Sequence, residues 1–233
     1  MSIVDLVVSS PKVIVLLLDA IASYIASAAL CPAGPPLMRR SIGTTILVSA
    51  FQYTIPLVYL LEIPAVLSAI HPDATSPLLG LWNTKCDIET QIDPVLILTS
   101  IALLLGTLGR IACYRELGCQ FTTHITIIPE HKLITSGPYS IIRHPSYTSL
   151  FICFAAVATY CVHQGSWLRS CVIDSSIGGF ILGGGWVFFV PVFSIPAGIR
   201  RTIREDALLK DHFGKQWEDW ATTTRYRLVP YLF

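Results

Sequence analysis

Charged residues are scarce in this chain. Of its 233 residues only 13% are Asp, Glu, Lys or Arg, whereas about a quarter is usual in a soluble domain. The formal net charge is +1, so the chain lacks the basic excess of a nucleic-acid-binding protein, and we expect no nucleic-acid partner. Apolar residues make up 53% of the sequence. This composition indicates a membrane protein.

Paired cysteine motifs are also missing. The sequence has no C-x-x-C pair and no histidine partner at zinc spacing, so it predicts no metal site. We interpret the seven cysteines as small hydrophobic residues buried within or beside apolar segments. They are Cys31, Cys86, Cys113, Cys119, Cys153, Cys161 and Cys171.

Long apolar segments are what the sequence does contain. They cover residues 13–30, 42–70, 94–114, 146–163 and 171–199. Because a helix needs about 20 residues to cross a bilayer, the sequence predicts an all-α, multi-pass integral membrane protein with about five transmembrane helices. Prolines within the second and fifth segments predict that each is kinked, tilted or folded into a hairpin.

Basic residues alternate between the predicted loops. The first loop has Arg39 and Arg40, whereas the second has only Lys85 against four acidic residues, including Asp73. The third loop has further basic residues, and seven more follow from residue 200 onward. Five spans put the first loop, the third loop and this helical tail on one side, which the positive-inside rule predicts to be cytosolic.

Some polar residues and glycines within the apolar segments are expected to have roles in packing. Asp19 and Glu62 are costly in lipid unless they face protein or water, so we expect them to be structural or to line a cavity.

The segment "GGFILGGGW" has neither the order nor the context of a dinucleotide-binding loop. We interpret Gly179 and Gly183 as a close helix-packing face or a thin wall beside a cavity.

Polar side chains are concentrated in "HKLITSGPYSIIRHPSY", residues 131–147. Gly137 and Pro138 predict a turn, and Pro145 predicts a helix that begins near His144. The positive end of that helix, together with Arg143, would favour a bound anion at the cytosolic interface. The alternative is that these residues are only interfacial anchors.

A second polar stretch follows the fifth apolar segment. Arg201 and Glu205 are four residues apart and so share one helix face, which indicates either a solvated ion pair or the lining of a pocket. Gly214 is expected to end this helix. Trp217 and Trp220 then predict a short interfacial helix.

The two stretches together resemble the isoprenylcysteine carboxyl methyltransferases. The similarity rests on "GPYSIIRHPSY" and on the later pattern R-x-x-x-E-[DE]-x-x-L-x-x-x-F-G-x-x-[WY]-x-x-[WY], and it runs from Gly109 to the last residue. Three features depart from the family pattern. Ser149 replaces a usual Gly, Asp206 replaces a common second Glu, and "CVHQGSWLRSC" lacks an Asn-Pro pair.

The resemblance implies an endoplasmic reticulum membrane enzyme that uses S-adenosylmethionine. Its substrates would be CaaX-processed proteins or small molecules with a prenylated cysteine, whose C-terminal carboxylate is methylated at the cytosolic face. Residues 1–114 would supply transmembrane helices and residues 115–233 the catalytic region. The implied cofactor contacts are His131, Lys132, Leu133, Ile134, Tyr139, His144, Pro145, Ser146, Tyr147 and Glu205, with another near Thr126. Arg201 would bind the substrate carboxylate.

Three other functions remain open from the sequence. The chain could methylate a different lipophilic acceptor, such as a phospholipid amine or a terpenoid acid. It could be a membrane scaffold or lipid-binding protein without catalysis. It could also be a reductase on a related helical architecture.

Overall fold

All the regular secondary structure of the residues that the structure describes is helical. The computed structural model describes residues 10–27, 42–71, 86–121, 127 and 129–232. The predicted all-α, multi-pass fold class is confirmed. The helices are α1 (Pro11–Ser27), α2 (Ile42–Ile70), α3 (Pro94–Leu117), α4 (Pro145–Val162), α5 (Gly185–Phe213) and α6 (Lys215–Thr223).

Four stretches of the described chain are long and apolar enough to cross a membrane: Gln52–Ile70, Pro94–Gln120, Pro145–Val162 and Ile177–Phe213. The 17 described residues of α1 pack against α2, α3 and α4. Several residues used in the sequence argument lie outside the described part of the chain. They are Cys31, Arg39, Arg40, Asp73, Lys85 and Thr126.

Helices α3 and α4 meet along a row of small residues. A Cβ at Gly106 would lie 2.8 Å from the Ser149 carbonyl oxygen, and one at Gly109 would lie 2.4 Å from Ser149 Oγ. The serine that departs from the family pattern therefore packs in this seam. Close backbone approach of this kind is how small residues bring membrane helices together.

From Ile177 onward, the fifth apolar segment forms a continuous helix rather than a hairpin. Helical residues Ile177–Gly179 and the π-helical turn Phe180–Gly184 lead directly into α5. A Cβ at Gly179 would lie 1.9 Å from the Val172 carbonyl oxygen, which explains the glycine by close packing. Helix α5 carries the chain out to Phe213 and ends at Gly214, whose φ is +52°.

A buried ion pair lies near the start of α1. Lys12 Nζ is 2.9 Å from Glu62 Oε1, and their side chains are 0% and 1% exposed. Lys12 also donates to the carbonyls of Glu89 and Gly165, and the Tyr160 hydroxyl donates to Glu62 over 2.5 Å. Glu62 thus has the structural role expected. We call Lys12, Glu62 and Tyr160 the Lys12 cluster.

The cysteines differ from expectation at three positions. Cys86 and Cys171 form a disulfide with a Cα–Cα distance of 5.4 Å, so their interpretation as small hydrophobic residues is wrong. Cys119 is exposed. The partners of the disulfide are 85 residues apart, which no spacing rule reveals. Cys113, Cys153 and Cys161 are buried as predicted.

Candidate active site

The hydroxyl of Tyr147 joins the two polar stretches. Pro145 opens α4 and His144 caps it, as predicted, so Tyr147 lies in the first turn. Arg201 Nε donates to Tyr147 Oη over 2.6 Å, and Tyr147 Oη donates to Glu205 Oε2 over 3.1 Å. We call Arg201, Tyr147 and Glu205 the Tyr147 cluster.

The charges of the Tyr147 cluster keep access to solvent. Arg201 and Glu205 are both half-buried, and hydrogen bonds to charged groups contribute about 1.5–3 kcal/mol each. The bridging hydroxyl therefore fixes the positions of a cation and an anion that lie one helical turn apart. The arrangement can present opposite charges to one zwitterionic ligand.

Asp206 anchors the start of α4 to α5. Its Oδ2 lies 2.8 Å from Arg143 Nη1 and 2.7 Å from Arg227 Nε, and its Oδ1 lies 2.9 Å from His144 Nε2. Asp206 and His144 are each 3% exposed. Since a carboxylate that faces two guanidinium groups can only accept, His144 donates its Nε2–H.

The expected anion at Arg143 is thus supplied by the chain itself. Burial lowers the pKa of Arg143, with a further decrease from the charge of Arg227, while Asp206 opposes the shift. The guanidinium of Arg143 also lies 5.6 Å from the centre of the Trp217 ring, within the range of a cation–π contact. Arg143 therefore acts here as a link between elements.

Tyr139 lies in a second hydrophobic core beside the Tyr147 cluster. This core contains the buried residues Cys113, Tyr139, Trp217 and Trp220, with Leu133 and Ile134 packed against it. Trp220 Nε1 donates to the Tyr139 carbonyl over 3.2 Å. Burial raises the pKa of the Tyr139 hydroxyl far above its ordinary value. Helix α6 thus secures residues 133–139.

His131 begins the polar stretch of residues 131–147 and is half-buried. Its ring packs 5.8 Å from the ring of Phe213. Burial lowers the pKa of His131, the charge of His212 lowers it further, and Glu205 raises it. Its neighbour Lys132 is exposed and donates its backbone N–H to Gln120 Oε1 over 2.6 Å.

Pro145 and Ser146 are buried at the α3–α4 contact. The Nη1 group of Arg110 donates to both the carbonyl and the hydroxyl of Ser146 over 3.1 Å, and its Nη2 group contacts the Tyr114 hydroxyl. The structure therefore brings Tyr147, Arg201 and Glu205 together, and the charge of Glu205 also acts on His131. Of the other residues expected to contact the cofactor, Lys132 is exposed, whereas His144, Pro145 and Ser146 are buried.

The charged groups of Arg201 and Glu205 suit a ligand that carries both a carboxylate and an ammonium group. Among the described residues no group of three His, Cys, Asp or Glu side chains is arranged to hold a metal ion.

Sequence reasoning did not identify Asp206, Arg110 or Arg227 as site residues. Asp206 was noted only as a departure from the family pattern, although an acidic residue next to Glu205 and an Arg-His pair before Pro145 are complementary in charge. That complementarity was the available signal. The sequence gives no such signal for Arg110, because a single arginine within an apolar segment is also expected at a membrane interface.

Comparisons with known proteins gave matches over part of the chain. Residues 96–179 match the model of the isoprenylcysteine carboxyl methyltransferase family. Protein-S-isoprenylcysteine O-methyltransferase B of Arabidopsis thaliana is 31% identical over 121 residues, which are 51% of this chain and 51% of the plant protein. The 7-dehydrocholesterol reductase of Danio rerio is 25% identical over 115 residues, which are 49% of this chain and 20% of the fish protein. No solved structure matches the chain.

The chain spans about half the length of the plant relative and about a fifth of the reductase. The family match includes His131, Tyr139 and Tyr147 and ends before Arg201 and Glu205, which are connected to it by the hydrogen bonds of Tyr147. The family match and the plant relative thus show that part of this chain is similar to isoprenylcysteine carboxyl methyltransferases.

Proposed function

We propose that this chain transfers a methyl group from S-adenosylmethionine to the C-terminal carboxylate of a prenylated cysteine, at the cytosolic face of the endoplasmic reticulum membrane. The observation that carries the proposal is the Tyr147 hydroxyl, which lies between Arg201 Nε at 2.6 Å and Glu205 Oε2 at 3.1 Å. It joins a segment inside the family match to one outside it.

The proposed reaction needs positioning more than acid–base catalysis. A terminal carboxylate has a pKa of about 3.3–3.7, so it is ionised at neutral pH and requires no base. Bound S-adenosylmethionine supplies an electrophilic methyl group on a sulfonium centre. Arg201 holds the acceptor carboxylate, and Glu205 attracts the positive groups of the cofactor. Alignment of two bound reactants contributes about 7 kcal/mol or more to catalysis.

The Tyr147 hydroxyl sets the orientation of Arg201 in this scheme. Because Arg201 Nε–H donates to Tyr147, the plane of the guanidinium is fixed before the acceptor binds. A planar fork recognises a carboxylate in a defined direction, whereas a lysine ammonium does not. An oriented Arg201 one helical turn from Glu205 supports the binding of the carboxylate and the cofactor in neighbouring positions.

The disulfide supports the proposed orientation. Cys86 and Cys171 are oxidised, whereas Cys119, at the end of α3 near the candidate site, is an exposed cysteine outside the disulfide. Disulfides persist in the lumen of the endoplasmic reticulum and are rare in the cytosol. Cys86 and Cys171 lie beyond the ends of α3 and α4 that are farther from the candidate site, which supports a site on the cytosolic side.

The membrane location suits the proposed acceptor. Each buried CH₂ of a lipid chain contributes about 0.8 kcal/mol to membrane binding, so a prenylated substrate is concentrated in the bilayer. S-adenosylmethionine is polar and arrives from water. Arg201 and Glu205 lie on the part of α5 that continues beyond its apolar stretch, where both compounds are accessible.

The proposal is tested by methyl transfer in vesicles that contain the full chain. Labelled S-adenosylmethionine and a farnesylcysteine analogue should give a base-labile methyl ester. Arg201→Lys should lower turnover by at least about tenfold, equivalent to ~1.4 kcal/mol, and retain cofactor binding. The matched control Arg204→Lys, on an exposed arginine of the same helix, should retain turnover. Absence of ester while the cofactor binds would reject the proposal.

The orientation has its own test in sealed microsomes. A membrane-impermeant maleimide should label Cys119 from the cytosolic side without reduction. Cys86 and Cys171 should react only after both permeabilisation and reduction. Labelling of Cys86 and Cys171 from outside after reduction alone would reverse the proposed orientation.

A second candidate is a reductase, favoured by the match to the 7-dehydrocholesterol reductase of Danio rerio over 49% of this chain. Oxidation of NADPH that depends on a sterol would support it. Methylation of a phospholipid amine is separated from the main proposal by its product, since an N-methyl group is stable to alkali and an ester is not.

A further inference from the structure

Residues 225–232, which we call the strap, run along the start of α4. The backbone N–H groups of Arg143 and His144 donate to the carbonyls of Tyr226 and Arg227 over 2.9 and 2.8 Å. The Thr148 hydroxyl donates to the Leu228 carbonyl over 2.6 Å. Three successive carbonyls of the strap are thereby fixed to the first turns of a membrane-spanning helix.

The strap then turns and presents apolar side chains outward. Leu232 N–H donates to the Val229 carbonyl over 3.2 Å, and the rings of Tyr226 and Tyr231 lie 5.3 Å apart. Val229, Tyr231 and Leu232 are 43%, 88% and 83% exposed, whereas Leu228 is 4% exposed. A hydrogen-bonded turn that exposes its largest apolar side chains to water is costly.

Another exposed apolar residue adjoins the strap. Ile141 is 65% exposed and lies between Ser140, whose carbonyl faces the Thr224 hydroxyl, and Arg143. These exposed residues are distinct from the apolar faces of the spans, because they lie outside the segments long enough to cross a membrane. They lie at the end of the bundle where α4 begins.

The depth of the strap follows from Thr148. With a rise of about 1.5 Å per residue, Thr148 lies roughly 4.5 Å along α4 from Pro145. The polar interfacial region on each side of the hydrocarbon core is roughly 5–8 Å thick. The strap is therefore held at the level where α4 passes from headgroups into acyl chains.

We propose that Val229, Tyr231, Leu232 and Ile141 form an interfacial anchor that inserts into the lipid leaflet on the side of the candidate site. Lipid is the occupant that the geometry favours, because these residues continue the surface of α4 at the membrane boundary. Tyrosine is a residue enriched at that depth. The exposed basic residue Arg225 of the strap suits an anionic headgroup layer.

The anchor connects the membrane to the site through two contacts. The strap carbonyls fix the backbone of Arg143 and His144, and Arg227 contacts Asp206 over 2.7 Å. Insertion of the turn therefore keeps the start of α4 and the site end of α5 at a constant depth. This inference does not depend on which reaction the site catalyses.

The test measures the depth of a nitroxide label in the full chain, reconstituted in phosphatidylcholine and phosphatidylserine vesicles. Leu232→Cys is placed in a Cys31→Ser, Cys119→Ser background and labelled. Accessibility to oxygen is compared with accessibility to a water-soluble nickel chelate. Phe193→Cys, 60% exposed on α5, provides the bilayer reference, and Gln216→Cys, exposed on α6, provides the water reference.

We expect the label at 232 to favour oxygen, with a depth between the two references. Val229→Cys is measured in the same way, so that the result does not rest on one variant, and it should give a similar depth. A label at 232 that is as accessible to nickel as the label at 216 would overturn the proposal. A label at 232 that neither reagent reaches would also overturn it, since the anchor would then be covered by protein.

Discussion

The Lys12 cluster and the Tyr147 cluster both join a cation, a tyrosine and a carboxylate, but they differ in access. Lys12 and Glu62 have side chains that are 0% and 1% exposed. Arg201 and Glu205 are half-buried. The first pair is in direct contact at 2.9 Å, whereas the Tyr147 hydroxyl bridges the second.

This difference in solvent access distinguishes a structural ion pair from a binding site. Charges removed from water must be neutralised by each other and by hydrogen bonds, which Lys12 obtains from Glu62 and two backbone carbonyls. Charges that keep contact with solvent can exchange water for a ligand. Variants of the Lys12 cluster should therefore change stability, and variants of the Tyr147 cluster should change ligand binding and turnover.

The largest expected effect is on stability, from Lys12→Met. Removal of one partner leaves the Glu62 carboxylate buried without its cation, and such changes cost about 3–5 kcal/mol. The midpoint of thermal unfolding in detergent should fall, while turnover per folded molecule stays the same. The double variant Lys12→Met/Glu62→Gln retains an acceptor for Tyr160 and should recover much of the loss. A change in turnover in the single variant would remove the distinction between the clusters.

Asp206→Asn should have the next largest effect, because it affects both stability and the site. The variant weakens hydrogen bonds from two guanidinium groups, which contribute about 1.5–3 kcal/mol each. Cofactor affinity, measured by calorimetry, should fall by roughly tenfold or more, equivalent to at least ~1.4 kcal/mol. Asp206→Glu should restore part of it, which a loss of folding alone would not predict.

The control for Asp206 is Asp211→Asn, on an exposed position of the same helix. It should leave both the unfolding midpoint and cofactor affinity unchanged. If Asp206→Asn also leaves affinity unchanged, then the Arg143–His144 segment does not shape the cofactor site.

Local patterns predicted the parts of the site that lie on one element. Pro145 indicated where α4 begins, Gly214 where α5 ends, and the four-residue spacing placed Arg201 and Glu205 on one face. Each of these depends on backbone geometry within a turn or two. The family resemblance also predicted that the polar stretch of residues 131–147 and the one that contains Arg201 and Glu205 form one site.

Contacts between distant segments were not predictable in this way. Asp206 is 62 residues from His144, and Cys86 is 85 residues from Cys171. The pairing of Lys12 with Glu62 also depends on how α1 packs against α2. Such contacts are set by helix packing rather than by spacing within a segment, so composition and periodicity do not encode them.

Tyr147→Phe tests the difference between the two clusters, because it removes only the bridging hydroxyl of the candidate site. The ring remains in α4, but Arg201 and Glu205 lose the hydroxyl that orients them. We expect turnover to fall by about tenfold, equivalent to ~1.4 kcal/mol, with little change in the unfolding midpoint. Tyr160→Phe, the matched change in the Lys12 cluster, should lower the unfolding midpoint without a change in turnover. If Tyr147→Phe instead lowered the unfolding midpoint and Tyr160→Phe lowered turnover, the roles assigned to the two clusters would be wrong.

The smallest expected effect is a pH dependence that belongs to the candidate site. Burial and His212 hold the pKa of His131 below its ordinary value of 6.5, although Glu205 opposes this shift. The folded protein therefore binds fewer protons at this residue than the unfolded chain does, so stability is full above about pH 6.5 and decreases as pH falls below it. Protonation of His131 should also weaken the binding of a cationic cofactor.

Unfolding midpoints and cofactor affinity measured from pH 8 to 5.5 should decline less steeply in His131→Gln than in the unmodified protein. Equal slopes in the two proteins would show that His131 does not titrate in this range or lies too far from the ligand to affect it.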